Sequence, residues 1–139
     1  MISVVIIDSR SDKHKDWVQL AIDSVKHQSL ECELIVIDNI GRKKTIGQCW
    51  NEGVKRSTND YILFLGDDDW LSKDYASVLL QYALSNPNYV YWTTNMTAYD
   101  DETKIYAILQ RACTGMWKKE YLLKYPFNEN LLKGIDREQ

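Results

Sequence analysis

Tyr61-Ile62-Leu63-Phe64-Leu65-Gly66-Asp67-Asp68-Asp69 is the stretch on which the fold turns. Five apolar residues, β-branched and aromatic in part, close at a glycine and read as a buried strand. Three carboxylates follow at its C-terminal end, the edge where open α/β sheets take ligands. Two carboxylates about 5 Å apart repel by roughly 3 kcal/mol at an effective dielectric near 20. Three together are costly unless they stay wet, cap a helix or hold a cation. Capping has its own support, because Ser72 stands as an N-cap before a helical pattern. The cation reading rests on the preference of Mg²⁺ and Mn²⁺ for oxygen ligands that bridge protein to phosphate.

The same grammar recurs upstream. Ile2-Ser3-Val4-Val5-Ile6-Ile7 reads as a strand ending at Asp8. A helix is expected over about 15–28, with Val18, Ala21, Ile22 and Val25 on one face. Glu33-Leu34-Ile35-Val36-Ile37 is a second strand, closing at Asp38-Asn39. A second helix over about 45–57 repeats Ile46, Cys49, Trp50, Gly53 and Val54 at helical intervals. A third, over about 72–85, is expected to bury Tyr75, Val78, Leu79 and Tyr82 before Asn86-Pro87 stops it. This β-α-β-α-β-α order predicts an α/β fold, three-layer α/β/α, with a mostly parallel sheet covered on both faces. Right-handed crossovers put every parallel strand's C-terminal end on one edge. Asp8, Asp38, Asn39 and Asp67 to Asp69 therefore converge there. Downstream, Tyr89 to Thr94 and Thr103 to Gln110 read as strands, followed by a short helix near 118–124.

Composition narrows the function classes. The 139 residues fit one domain, and 45% apolar with 27% charged is ordinary for a globular protein. A net charge of −3 argues against nucleic acid or anionic lipid as partner. The dense basic run Arg42-Lys43-Lys44 reads as a solvated loop. Met1 passes straight into a strand without a basic leader, and no apolar stretch approaches the roughly 20 residues that span a bilayer. Cys32, Cys49 and Cys113 lack metal-ligand spacing, so reduced thiols in a cytoplasmic protein are expected.

Taken in order, several pieces resemble family 2 glycosyltransferases of the GT-A fold. They are the first strand, Glu33 to Asn39, Asn51-Glu52-Gly53, and Tyr61 through Leu71. Thr114 to Leu122 and Phe127 to Asp136 complete the series. The resemblance implies one GT-A-like domain over 1–139. Its nucleotide-sugar half would cover about 1–88, and an acceptor half about 89–139 would end short, three residues past Asp136.

That resemblance carries an activity with it. Such enzymes transfer a sugar, with inversion, from a nucleoside diphosphate (usually UDP) to a hydroxyl on a glycan, lipid-linked or protein acceptor, aided by Mn²⁺ or Mg²⁺. It assigns Asp8, Ser9, Asp38, Asn39, Asn51 and Asp67 to the nucleotide sugar. Aligned through Trp70-Leu71, the Asp-x-Asp motif falls on Gly66, Asp67 and Asp68. Asp68, with Asp69 beside it, is the expected metal ligand, and Asp136 the base that deprotonates the acceptor. A non-catalytic relative that binds nucleotide or glycan is the alternative. A receiver-type phosphotransfer domain also gathers aspartates at strand ends, but it needs a lysine after its fifth strand, and Gln110-Arg111-Ala112-Cys113 has none.

Overall fold

The computed structural model describes residues 1–94, 96–100, 105–109 and 115–130. In chain order the elements are β1 (Ile2–Asp8), α1 (Lys15–Lys26), β2 (Cys32–Asp38), α2 (Ile46–Arg56), β3 (Tyr61–Leu65) and α3 (Tyr75–Ser85). After these come β4 (Tyr91–Trp92), β5 (Met96–Asp100), β6 (Ile105–Leu109), β7 (Gly115–Lys118) and α4 (Lys119–Lys124).

One five-stranded sheet runs β2-β1-β3-β7-β4. β1 pairs in parallel with both β2 and β3, while β7 runs antiparallel between β3 and β4. The expected three-layer, mostly parallel α/β architecture is what forms. An all-parallel receiver-type sheet is excluded by β7, a strand that four residues with a leading glycine did not announce. β5 and β6 form a separate antiparallel pair.

Alternating side chains send β1 to two cores at once. Ile2, Val4 and Ile6 meet Ala21 and Val25 of α1 and Leu79 and Ala83 of α3 on one face. Val5 and Ile7 meet Cys49 and Val54 of α2 and Leu122 of α4 on the other. Each valine, leucine or isoleucine among them contributes about 1.5–3 kcal/mol by leaving water. Gly53 lets α2 lie directly on β1, because a Cβ there would stand 2.4 Å from Val5 Cγ1.

The third helix departs from its sequence reading. It starts at Tyr75, and Ser72 does not cap it. The carboxamide of Gln28, just past α1, does that work from a distance. Its Oε1 accepts from Ala76 N at 2.9 Å and its Nε2 donates to Ser72 O at 2.6 Å. The buried face is correspondingly Ala76, Leu79 and Ala83, whereas Val78 and Tyr82 are exposed. Small residues let α3 approach the sheet closely, so the larger ones face outward. Of the stretch expected as a strand over 89–94, only Tyr91–Trp92 pairs. Arg42 and Lys43 are exposed, as a solvated loop requires.

Candidate functional site

α1 and α2 cover opposite faces while β2 and β3 flank β1 on opposite sides. The chain leaves β1 towards β2 on one side and β3 towards β4 on the other, so the strand order reverses between β1 and β3. The crevice at their C-terminal ends is the topological switch point, with α1 and α3 on the same face of the sheet. Register brings the acidic residues there. Asp8 lies directly beside Asp38. The β1–β3 pairing ends at Ile6 against Leu65, so its continuation sets Asp67 level with Asp8.

Asp67 is buried and binds the two loops together. One carboxylate oxygen accepts from Ser9 N at 2.9 Å, and the other lies 2.9 Å from Arg10 Nε. Arg10 Nη1 reaches on to Asp68 Oδ2 at 3.4 Å. Asp8 holds the same turn from below, its Oδ1 accepting from Arg10 N and Ser11 N. One guanidinium thus faces three adjacent carboxylates, and the charge does not balance. Asp69 shows the consequence. Burial first, then the charges of Asp68 and Asp67, push its carboxyl up to about 6 against the relief from Arg10.

Gly66 belongs to this geometry. A Cβ there would stand 2.8 Å from Asp69 Oδ2 and 3.1 Å from Asp68 Oδ1, so both carboxylates fold back over the same point of bare backbone. Among the described residues, no three histidine, cysteine or carboxylate side chains converge as a metal cage.

The other expected site residues make contacts of their own within the chain. Asp38 is exposed, with one oxygen accepting from Ile40 N. Asn39 is buried, and its amide clasps Lys44 by both N and O, which closes the loop over 39–44. Asn51 lies away from the acidic cluster. Its carboxamide accepts from Phe127 N and donates to Phe127 O, both at 3.0 Å, and donates to Glu129 Oε2 at 2.8 Å. Asp136, like Cys113, lies outside the described residues.

Sequence reasoning passed over Arg10, Thr45 and Gly47. Thr45 caps α2 in a reciprocal box with Gln48, and its hydroxyl donates to Glu129 O at 2.6 Å. Gly47 makes room for the same segment, because a Cβ there would meet Asn128 O at 2.1 Å. The signals existed: Thr45-Ile46-Gly47-Gln48 has capping-box spacing, and a glycine inside a helix marks close approach. Nothing near Arg10 pointed to Asp67, 57 positions away.

Among solved structures, residues 1–349 of S. aureus TarS match with a TM-score of 0.68 at 13% identity, over 98% of this chain and 52% of that one. The same protein in complex with UDP-GlcNAc matches with a TM-score of 0.68 at 14% identity, over 98% and 51%. A longer TarS structure matches with a TM-score of 0.68 at 14% identity, over 98% and 32%. The chain thus spans about half the length of the shorter TarS structures, and identities this low establish the GT-A architecture alone. No curated protein shows a significant sequence match. No described helix is long and apolar enough to cross a membrane. The model of Glycosyl transferase family 2 matches residues 4–136, from the first strand through every carboxylate of the crevice, and the chain belongs to that family.

Proposed function

We propose that the chain binds a nucleoside-diphosphate sugar in the β1/β3 crevice and transfers the sugar, with inversion, to a hydroxyl acceptor. The observation that carries this reading is the junction of Ser9, Arg10, Asp67, Asp68 and Asp69 at the switch point of a family 2 sheet. TarS has been captured with UDP and with UDP-GlcNAc, which makes UDP the first nucleotide to try. A glycan, a lipid-linked sugar or a protein side chain would supply the hydroxyl. Free Cys32 and Cys49 suit a cytoplasmic setting.

In this scheme the exposed Asp38 and the Asp8–Ser9 turn receive the nucleoside, while Asn39 shapes the neighbouring loop. Asp67 holds the floor of the crevice rigid. Asn51 contributes at a distance, by seating residues 127–129. The donor set also suits a hard cation: Asp68 and Asp69 offer adjacent oxygens, and water and diphosphate would complete the shell. Bound there, Mn²⁺ or Mg²⁺ would neutralise charge developing on the departing diphosphate. Asp136 is the proposed base. It takes the proton as the acceptor oxygen bonds to the anomeric carbon, and the bond from that carbon to the diphosphate oxygen breaks on the opposite face.

Calorimetric titration of UDP with and without Mn²⁺, beside an assay of UDP-sugar turnover, tests the reading. Manganese-dependent binding with turnover is expected, and absence of both defeats it. Asp136→Asn separates an enzyme from a binding module: turnover should fall by at least 100-fold with UDP affinity unchanged.

A further inference from the structure

We infer that Arg10 is the residue that binds the donor's diphosphate, a reading that rests on the crevice being the donor site. Its backbone is fixed on both sides. Arg10 N donates to Asp8 Oδ1, and Arg10 O accepts from Lys13 N at 3.0 Å and His14 N at 2.7 Å. Its side chain is ion-paired with the buried Asp67, 2.9 Å from Nε but without hydrogen-bond geometry there, and with the half-exposed Asp68, 3.4 Å from Nη1. Among the described residues Nη2 meets no acceptor, and the side chain keeps 29% of its surface open to solvent. A guanidinium held along one edge and open along another is pre-organised for a second anion, because little side-chain freedom remains to be lost on binding. Diphosphate is the anion that fits, since a fork of N–H donors matches paired phosphate oxygens.

The surroundings make that charge necessary. A diphosphate entering the crevice meets Asp67, Asp68 and Asp69, and repulsion from three carboxylates must be offset locally. Arg10 lies against two of these three carboxylates, Asp67 and Asp68. A purely structural Arg10 would serve only to balance Asp67 and Asp68, and the two roles give different results.

The experiment compares UDP with uridine, both titrated calorimetrically against the whole chain at one fixed magnesium concentration. The ratio of the two affinities isolates the phosphate contribution. In Arg10→Gln this ratio is expected to fall at least tenfold, with uridine affinity held within twofold. Arg10→Lys keeps a charge beside Asp67 and guards against misfolding of the first variant; its ratio should fall about threefold to fivefold. A lowered melting temperature with an unchanged UDP-to-uridine ratio in either folded variant overturns the inference and leaves the donor site standing. If the wild-type chain binds neither uridine nor UDP, the donor-site reading fails and this inference fails with it.

Discussion

Two places in the molecule join stretches far apart in sequence, and they are made of opposite materials. Along α2, residues 127–129 are seated by neutral groups: the Asn51 carboxamide, the Thr45 hydroxyl and the missing Cβ of Gly47. Between the β1 and β3 loops, the join is one arginine against three aspartates. The first uses one neutral amide and one hydroxyl, which hold Glu129 by its carboxylate and its backbone carbonyl. The second is over-supplied with negative charge, and stability alone gives no reason to keep it so. Protein chemistry that costs stability tends to sit where ligands bind. The contrast supports the proposal that α2 is scaffold and the crevice the seat of the chemistry.

The neutral join should be the more fragile to added volume. Gly47→Ala places a methyl against the Asn128 carbonyl, and a backbone group cannot rotate away as a side-chain tip can. Alanine gains about 1 kcal/mol in helix propensity over glycine. Overpacking and displacement of the docked segment outweigh that gain, for a net loss of about 3 kcal/mol. Urea denaturation measures it, and a neutral or stabilising result would mean that residues 127–129 do not rest on α2.

Removing polar matching without adding bulk should cost somewhat less. Asn51→Leu strands the buried N–H and C=O of Phe127 and releases Glu129, for a loss of about 2 kcal/mol. UDP affinity should stay within twofold of wild type, because Asn51 does not reach the acidic cluster. A selective loss of UDP affinity with stability intact would move Asn51 from the scaffold into the donor site. Smaller again is Thr45→Ala, which loses the capping box and the bond to Glu129 O, for about 1 kcal/mol. The same melts read it out.

How much of this was legible beforehand follows from the range of each interaction. The strands and the edge they share were readable because hydrophobic runs and their terminal aspartates are local: Ile2 to Asp8, Cys32 to Asp38 and Tyr61 to Asp69 each carry their meaning within ten residues. The start of α3 was misplaced because its cap comes from Gln28, beyond any local window, and Ser72 offered a nearer but unused hydroxyl. Val78 and Tyr82 read as core from their apolar character, yet close packing favoured Ala76 and Ala83. The aspartates of the crevice were visible as a cluster, while the cation that orders two of them was not. Arg10 and Asp67 meet only once β1 and β3 are side by side.

The charged join can be tested by relieving it. Asp69 has a carboxyl raised to about 6 from an ordinary 3.8, so between about pH 4 and pH 6 the folded chain keeps a proton that the unfolded chain has lost. Its contribution therefore runs opposite to that of a usual salt-bridged carboxylate: stability falls as pH rises through this window, and the full penalty is present above about pH 6. Asp69→Asn removes the charge and should stabilise the chain at pH 7.5, by about 1 kcal/mol once solvent screening is allowed for. Below about pH 4 the variant and the wild type should coincide. Glu52 shifts the other way, held low by its hydrogen bond from Lys44, so the diagnostic quantity is the difference between the two proteins at each pH. A divalent cation should narrow that difference at neutral pH by stabilising the wild type more than the variant. If Asp69→Asn instead destabilises at pH 7.5, the three carboxylates do not repel as their spacing requires, and the contrast between a balanced join and a strained one dissolves.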